Sequence, residues 1–184
     1  FILDYTKKDD KVFDPFAGSG TTLLTSKRLG FKTFGFEINP FSAFMIKVKT
    51  RNYSEEDLKQ YNNFKIPECK KMKDAYSKYD LSIIKKLFDE QKLEKIEILK
   101  EATDKVSNEK VKDLLVATLL SILESISYYR KAGNGLKRKR IYKDLDPFIK
   151  FQKKRKEILL DLMAETSDNT EPLIINDSCL NLGK

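Results

Sequence analysis

Histidine is absent from all 184 residues. That excludes any mechanism within this chain that needs an imidazole base, Ser-His-Asp triads and His-x-x-x-His metal sites among them. Cysteine occurs twice, at Cys69 and Cys179, far apart and in no Cys-x-x-Cys pattern. No zinc cluster or disulfide framework is expected; the pair reads as two reduced thiols of a cytoplasmic protein, and no metal partner is expected. No apolar run approaches the ~20 residues a membrane span needs, so no membrane partner is expected either. There is no signal peptide, and the chain begins at Phe1 rather than Met, which suggests a piece of something longer.

What is present is a globular composition, 40% hydrophobic and 35% charged, which implies a real core under a largely solvated helical surface. The net charge is +8, but it is unevenly placed. Between Arg130 and Lys156 twelve basic residues face only Asp144 and Asp146, a local excess of ten, so the rest of the chain is slightly acidic. A field of that kind points to an anionic partner.

The first fifty residues alternate strand and helix. Lys11 to Asp14 reads as a strand, Thr21 to Leu29 as a helix stopped by Gly30, and Thr33 to Glu37 as a second strand. Pro40 to about Thr50 reads as a second helix, with Asn39 as its cap. This is a βαβ unit with a parallel sheet. From about Ser54 to Thr166 no strand is expected. Asp74 to Phe88 and Glu90 to about Lys105 read as helices. Ser107 to Lys131 is the clearest one, with Val111, Leu114, Leu115, Thr118, Leu119, Ile122, Leu123 and Ile126 on one buried stripe, ended by Gly133-Asn134-Gly135. Asp146-Pro147 opens a further helix that buries Phe148, Phe151, Ile158, Leu159 and Leu162. Pro172 to Asn176 is a third short strand. The reading is an α/β fold, residues 1–53 and 167–184, interrupted by a helical insertion, 54–166.

The loop Asp14-Pro15-Phe16-Ala17-Gly18-Ser19-Gly20-Thr21-Thr22 joins strand to helix. Gly18 and Gly20 allow a sharp turn and close ligand approach, and Thr21 opens a helix whose free N–H groups face the same space. A phosphate-binding loop needs Gly-x-x-x-x-Gly-Lys-Ser/Thr, and no lysine follows these glycines. A dinucleotide fingerprint wants a third glycine where Leu23 stands. The third possibility is the cofactor loop of an S-adenosylmethionine-dependent methyltransferase. Glu37 ends the second strand, 17 positions after Gly20, where a carboxylate can accept from ribose hydroxyls. Asp177 ends the third strand on the same sheet edge, where it can accept from an adenine amino group; a turn aspartate is the plainer alternative.

At this point the chain resembles the amino-methylating DNA methyltransferases, which make N6-methyladenine or N4-methylcytosine. The nine-residue loop is similar to their cofactor loop, Gly35-Phe36-Glu37-Ile38-Asn39-Pro40 to their second cofactor motif, and Asn176-Asp177-Ser178 to the third. Ser127-Tyr128-Tyr129-Arg130 and the basic run look like a subgroup of bacterial modification methylases with helices between the second and third motifs. The resemblance implies the first three strands of a Rossmann-like methyltransferase sheet and S-adenosylmethionine as cofactor, in the bacterial cytoplasm and in restriction-modification. It implies that Asp14, Gly18 and Gly20 surround the methionine part and that Phe16 and Thr21 also contact the cofactor. Glu37 then holds the ribose, Ile38 packs on the adenine, and Asp177 with Ser178 meets its edge. Arg130, Lys137, Arg138, Lys139, Arg140 and Lys143 are expected on DNA phosphates, with Tyr128, Tyr129 and Tyr142 adding packing.

The family's catalytic motif, an Asp, Asn or Ser followed by Pro-Pro and an aromatic, is not in this chain, which has no Pro-Pro. Asp146-Pro147-Phe148 has one proline and reads as a helix start. No catalytic residue is therefore assigned, and the resemblance implies that the catalytic half follows Lys184 or comes from a second chain. Such an enzyme transfers a methyl group directly to an exocyclic nitrogen of a flipped-out base; this chain alone is expected to be inactive. The Lys11–Asp14 strand is then expected to have an unpaired, covered or rearranged edge. An RNA methyltransferase, or a non-catalytic nucleic-acid-binding module with a vestigial pocket, remain as alternatives.

Overall fold

The computed structural model describes residues 2–7, 9–68, 75–79, 82–141, 143–165 and 170–182. In chain order the helices are α1 (Ile2–Tyr5), α2 (Thr21–Arg28), α3 (Pro40–Thr50), α4 (Glu55–Asn63), α5 (Ser82–Leu87), α6 (Glu90–Asp104), α7 (Glu109–Ile126) and α8 (Pro147–Ala164). The strands are β1 (Lys11–Asp14), β2 (Lys32–Phe36), β3 (Tyr129–Ala132), β4 (Gly135–Arg138) and β5 (Leu173–Ile175). Two compact units result: Phe1–Ser54 with Ala164–Lys184, and Glu55–Met163. Among the described residues, no helix is long and apolar enough to cross a membrane.

The first unit is a three-stranded parallel sheet in the order β1-β2-β5, compatible with part of a Rossmann-like fold. Within the described residues β1 pairs with β2 alone, so its other edge is open, and Phe13 is 47% exposed there. Parallel pairing puts the carboxyl ends of all three strands on one edge. Behind them Leu23 of α2 and Ile46 of α3 are fully buried against Ala17. Close packing makes two glycines obligatory. A Cβ on Gly35 would lie 2.7 Å from Leu23 Cδ1, and one on Gly20, at φ +76°, would lie 2.8 Å from Ile46 Cγ1. Asn39 caps α3, its Oδ1 accepting from Phe41 N at 2.9 Å and Ser42 N at 3.3 Å. Lys27 is buried, yet its ammonium reaches the C-terminal end of α3, donating to Thr50 O at 2.9 Å and to Asn52 Oδ1.

In the second unit α7 packs on α4 and α6. Val111, Leu114, Leu115, Thr118, Leu119, Ile122 and Ile126 are buried, the stripe read from the sequence; Leu123 is half-buried. Tyr61 of α4 is fully buried, its hydroxyl 2.7 Å from Thr118 Oγ1. Asn108 caps α7, accepting from Lys110 N and Val111 N. Asp146 does the same for α8, accepting from Phe148 N at 2.9 Å and Ile149 N at 3.1 Å. Of the five apolar residues expected to be buried by that helix, Phe151 is fully buried and the others are half-buried.

The structure corrects the all-helical reading of this stretch. The long helix does not run to Lys131; it ends at Ile126, and Tyr129–Ala132 and Gly135–Arg138 form an antiparallel hairpin. The reason is local. Ser127 turns extended at φ −75° and ψ 154°, and its Oγ accepts from Tyr129 N at 3.0 Å, which starts a strand rather than a further turn of helix. The two-residue loop Gly133-Asn134 then reverses the chain, with Gly133 at φ +57°. Gly-Asn between two short runs is a recognised hairpin signal, and it was there to be found. The expected helix from Asp74 is a 3-10 turn, Ala75–Lys78, followed by α5. Cys69, Asp74, Tyr142 and Lys184 lie outside the described residues.

Candidate functional site

Three loops leave the carboxyl edge of the sheet, and backbone bonds tie them together. Ala17 N donates to Phe36 O at 2.9 Å and Glu37 N to Ile175 O at 3.1 Å. The Asn176 side-chain amide donates to Glu37 O at 2.7 Å and Ile38 O at 3.3 Å, so the segment after β5 is fastened across the segment after β2.

Within that frame the Glu37 carboxylate acts as a clamp. Its Oε2 accepts from Gly18 N at 2.7 Å and its Oε1 from Asn39 N at 2.8 Å. One side chain thus holds the glycine loop and the start of α3. Each oxygen keeps a second lone pair. Asp14 Oδ1 accepts from Phe16 N at 3.1 Å, an Asx turn that starts the loop. Asp177 Oδ1 accepts from Ser178 N at 2.7 Å and Asn181 Nδ2 at 2.9 Å; among the described residues no donor meets its other oxygen.

These loops enclose a cleft of about 280 Å³, lined by Pro15, Phe16, Gly18, Phe36, Glu37, Ile38, Asp177, Ser178 and Cys179. Phe16, Gly18, Glu37, Ile38, Asp177 and Ser178, all named from the sequence, share it. Asp14, Gly20 and Thr21 do not line it. Asp14 shapes the loop from below, Gly20 is buried against Ile46, and Thr21 borders a separate groove of about 780 Å³ beside α1 and β1. Sequence reasoning missed Cys179. It stands two residues after Asp177, but only the 3-10 turn Cys179–Asn181 brings it into the cleft. Ile38 and Phe16 are 73% and 79% exposed, two large apolar side chains left open at the rim of the cleft. Among the described residues no cluster of three or more His, Cys, Asp and Glu could hold a metal ion.

The basic residues occupy the hairpin of the other unit. Arg130, Lys137, Arg138, Lys139, Arg140, Glu124 and Ile141 line a groove of about 630 Å³; Lys143 is exposed outside it. They are not equivalent. The Lys139 ammonium donates to Glu124 O at 2.6 Å, Ser127 O at 2.7 Å and Ser125 O at 3.2 Å, capping the C-terminal end of α7. Burial holds that ammonium below the ordinary lysine range, Glu124 opposing and Lys92 adding to the shift. The two acids of the segment are held by other lysines: Lys92 Nζ meets Asp144 Oδ1 at 2.6 Å, and Lys95 pairs with Asp146. Tyr128 anchors the hairpin base, its hydroxyl donating to Asp89 Oδ2 at 2.6 Å. That bond, with burial second, pushes the phenol up to about 12. Burial pushes Asp89 up, but the Tyr128 hydroxyl, the Lys92 N–H and the Lys92 ammonium outweigh it, and the carboxyl lies below its ordinary value.

Residues 1–47 match the family model described as DNA methylase. The chain is 34% identical over 133 residues to the type II methyltransferase M.BsoBI of Geobacillus stearothermophilus, covering 71% of this chain and 26% of that protein. It is 33% identical over 153 residues to the type II methyltransferase M.AvaI of Nostoc sp., covering 74% of this chain and 29% of the relative. The type II methyltransferase M.MjaII of Methanocaldococcus jannaschii is 35% identical over 60 residues, 33% of this chain and 11% of its own length. The chain therefore spans less than a third of the length of the curated relatives it matches. No solved structure matches.

Proposed function

From a chain that is related to the type II DNA methyltransferases over most of its length, we propose that the cleft at the carboxyl edge of the sheet binds S-adenosylmethionine. The whole protein then methylates an exocyclic amino group of adenine or cytosine in DNA, within a restriction-modification system. The observation that carries this reading is the convergence of three separate sequence segments, at Gly18, at Glu37-Ile38 and at Asp177-Ser178, on one cleft at three parallel strand ends.

The residues present fit that cofactor. Gly18, at φ +54°, brings backbone rather than side chain to the cleft wall. The second lone pairs of Glu37 are suited to a pair of ribose hydroxyls, and the unmet oxygen of Asp177 to an amino group on an adenine edge. Ile38 and Phe16 offer apolar surface that a flat base would cover. The bound cofactor supplies an electrophilic methyl group on a sulfonium. What this chain supplies is a preorganised seat: because Gly18 and Asn39 are already bonded to Glu37, the loop does not have to be ordered when the ligand arrives. In the same reading residues 54–166 form an insertion in the cofactor domain, and DNA is the partner of the basic segment 130–156 through its phosphates.

Isothermal titration of S-adenosylmethionine into the intact protein and into its Glu37→Ala variant tests the assignment. Binding that weakens at least tenfold in the variant is the expected result. Equal affinity in both would remove Glu37, and with it the cleft, from the cofactor site.

A further inference from the structure

The hairpin β3–β4 plays no part in the cofactor cleft, and its construction is unusual. An isolated two-stranded sheet is marginal in water. Here β4 is exposed at every position, and the register sets Arg130 directly opposite Lys137. Like charges across a rung are destabilising. Among the described residues no carboxylate pairs with Arg130, Lys137, Arg138 or Arg140; Glu124 is the one acid on their groove, and Asp144 and Asp146 are engaged by Lys92 and Lys95.

The base of the hairpin is built quite differently. Lys139 N donates to Tyr128 O at 2.9 Å, one rung beyond the strands, and its ammonium grips three carbonyls at the end of α7. Tyr128 N donates to Leu87 O at 2.9 Å, and Lys92 stacks 5.0 Å from the Tyr128 ring centre. One lysine of the cluster is thus structural and holds the others outward. A ribbon with a repulsive rung, and among the described residues no carboxylate paired with its exposed cations, suits an external polyanion. With strands ~4.8 Å apart it is narrow enough to follow a groove ~12 Å wide.

We propose that β3–β4 is a DNA-contacting ribbon, with Arg130, Lys137 and Arg138 on duplex phosphates and Lys139 as its anchor. This rests on the reading of the protein as a DNA methyltransferase.

The test is fluorescence anisotropy of a labelled duplex with the intact protein over a range of KCl concentrations. Three forms are compared: the unaltered protein, Arg130→Ala/Lys137→Ala/Arg138→Ala, and the charge-matched Lys59→Ala/Lys100→Ala/Lys105→Ala, three exposed lysines outside the basic segment. Three lost phosphate contacts should lower the slope of log affinity against log salt by about 3, and affinity on the order of a hundredfold near physiological salt. The control variant should change by less than threefold. An unaltered far-UV circular dichroism spectrum and Tm in the hairpin variant show that its fold is intact. Should that variant fold poorly, Lys137→Gln alone should still lower the slope by about 1. Full affinity and slope in the hairpin variants would overturn the ribbon and leave the methyltransferase reading standing. An unaltered protein that binds cofactor but no duplex DNA would overturn both.

Discussion

Glu37 Oε2 accepts a hydrogen bond from Gly18 N across 19 residues of chain, at 2.7 Å. The acid at the end of β2 is therefore a part of the glycine loop as well as of the cleft. Substitution by Gln keeps the shape but sets an amide donor against one of two N–H groups, Gly18 or Asn39. Glu37→Gln should loosen the loop before any ligand is added. Hydrogen exchange at the Gly18 and Asn39 amides should speed up by roughly tenfold, the equivalent of about 1.4 kcal/mol of local stability. Unchanged exchange at both amides would mean that the clamp holds nothing.

Gly20 combines a tight contact with a left-handed backbone. Its φ is +76°, and a Cβ added there would meet Ile46 Cγ1 at 2.8 Å and Cγ2 at 3.0 Å. Gly20→Ala should cost about 2 to 4 kcal/mol, overpacking added to a left-handed alanine. In an Ile46→Ala background the same change should cost less, because the atoms it meets are gone. A double-mutant cycle by urea denaturation reads the difference, and strict additivity would show that the two sites are not in contact.

Lys139 should behave unlike its basic neighbours. Lys139→Ala leaves three carbonyls at the end of α7 without their shared donor and is expected to destabilise the protein by about 1.5 to 3 kcal/mol. Lys137→Ala, at an exposed position, should stay within about 0.5 kcal/mol of the unaltered protein. Thermal denaturation of both variants decides this; equal effects would deny Lys139 its anchoring role.

The tyrosines define an alkaline limit. Tyr128 is raised to about 12 by its bond to Asp89, and Tyr61 and Tyr79 to about 12 chiefly by burial. A phenol raised above its ordinary 10.0 stabilises the folded state fully below pH 10, and that contribution is lost as the pH rises through 12. Burial raises Tyr76 as well, so tyrosinate absorbance should show at least four late-ionising groups, and Tyr128→Phe should remove one of them. A variant that lost none of them would contradict the Asp89 bond.

Asp89 and Asp146 work in the opposite direction. Both carboxyls lie below the ordinary 3.8 in the fold, since their donors outweigh the desolvation that opposes them. Their contribution is complete above that value and disappears as the pH falls through the lower folded one. Asp89→Asn should flatten part of the loss of stability below about pH 4 in an acid titration followed by circular dichroism.

Much of this architecture was legible in the sequence because it is written in short-range terms. The caps at Asn39 and Asp146, the apolar period of α7 and the strand–glycine turn–helix of β1 and α2 depend on neighbours within a few positions. The meeting of the segments at Gly18, Glu37 and Asp177 was legible too, since parallel strands place their carboxyl ends on one edge without further information. The hairpin was missed because a helical period and a run of lysines masked the Gly133-Asn134 turn.

What the sequence by itself determined, then, is which three segments meet and the edge of the sheet on which they do so. Only the tertiary structure decided which residues finish the site. Gly18 and Glu37 became partners, Gly20 sank beneath Ile46, and Cys179 entered the cleft. Lys27 and Lys139 were drawn onto helix ends, while Arg130 and Lys137 were left facing solvent on one rung. The charge of a lysine is a property of its side chain; whether it caps a helix or awaits an anion depends on which carbonyls the packing brings within about 3 Å of it.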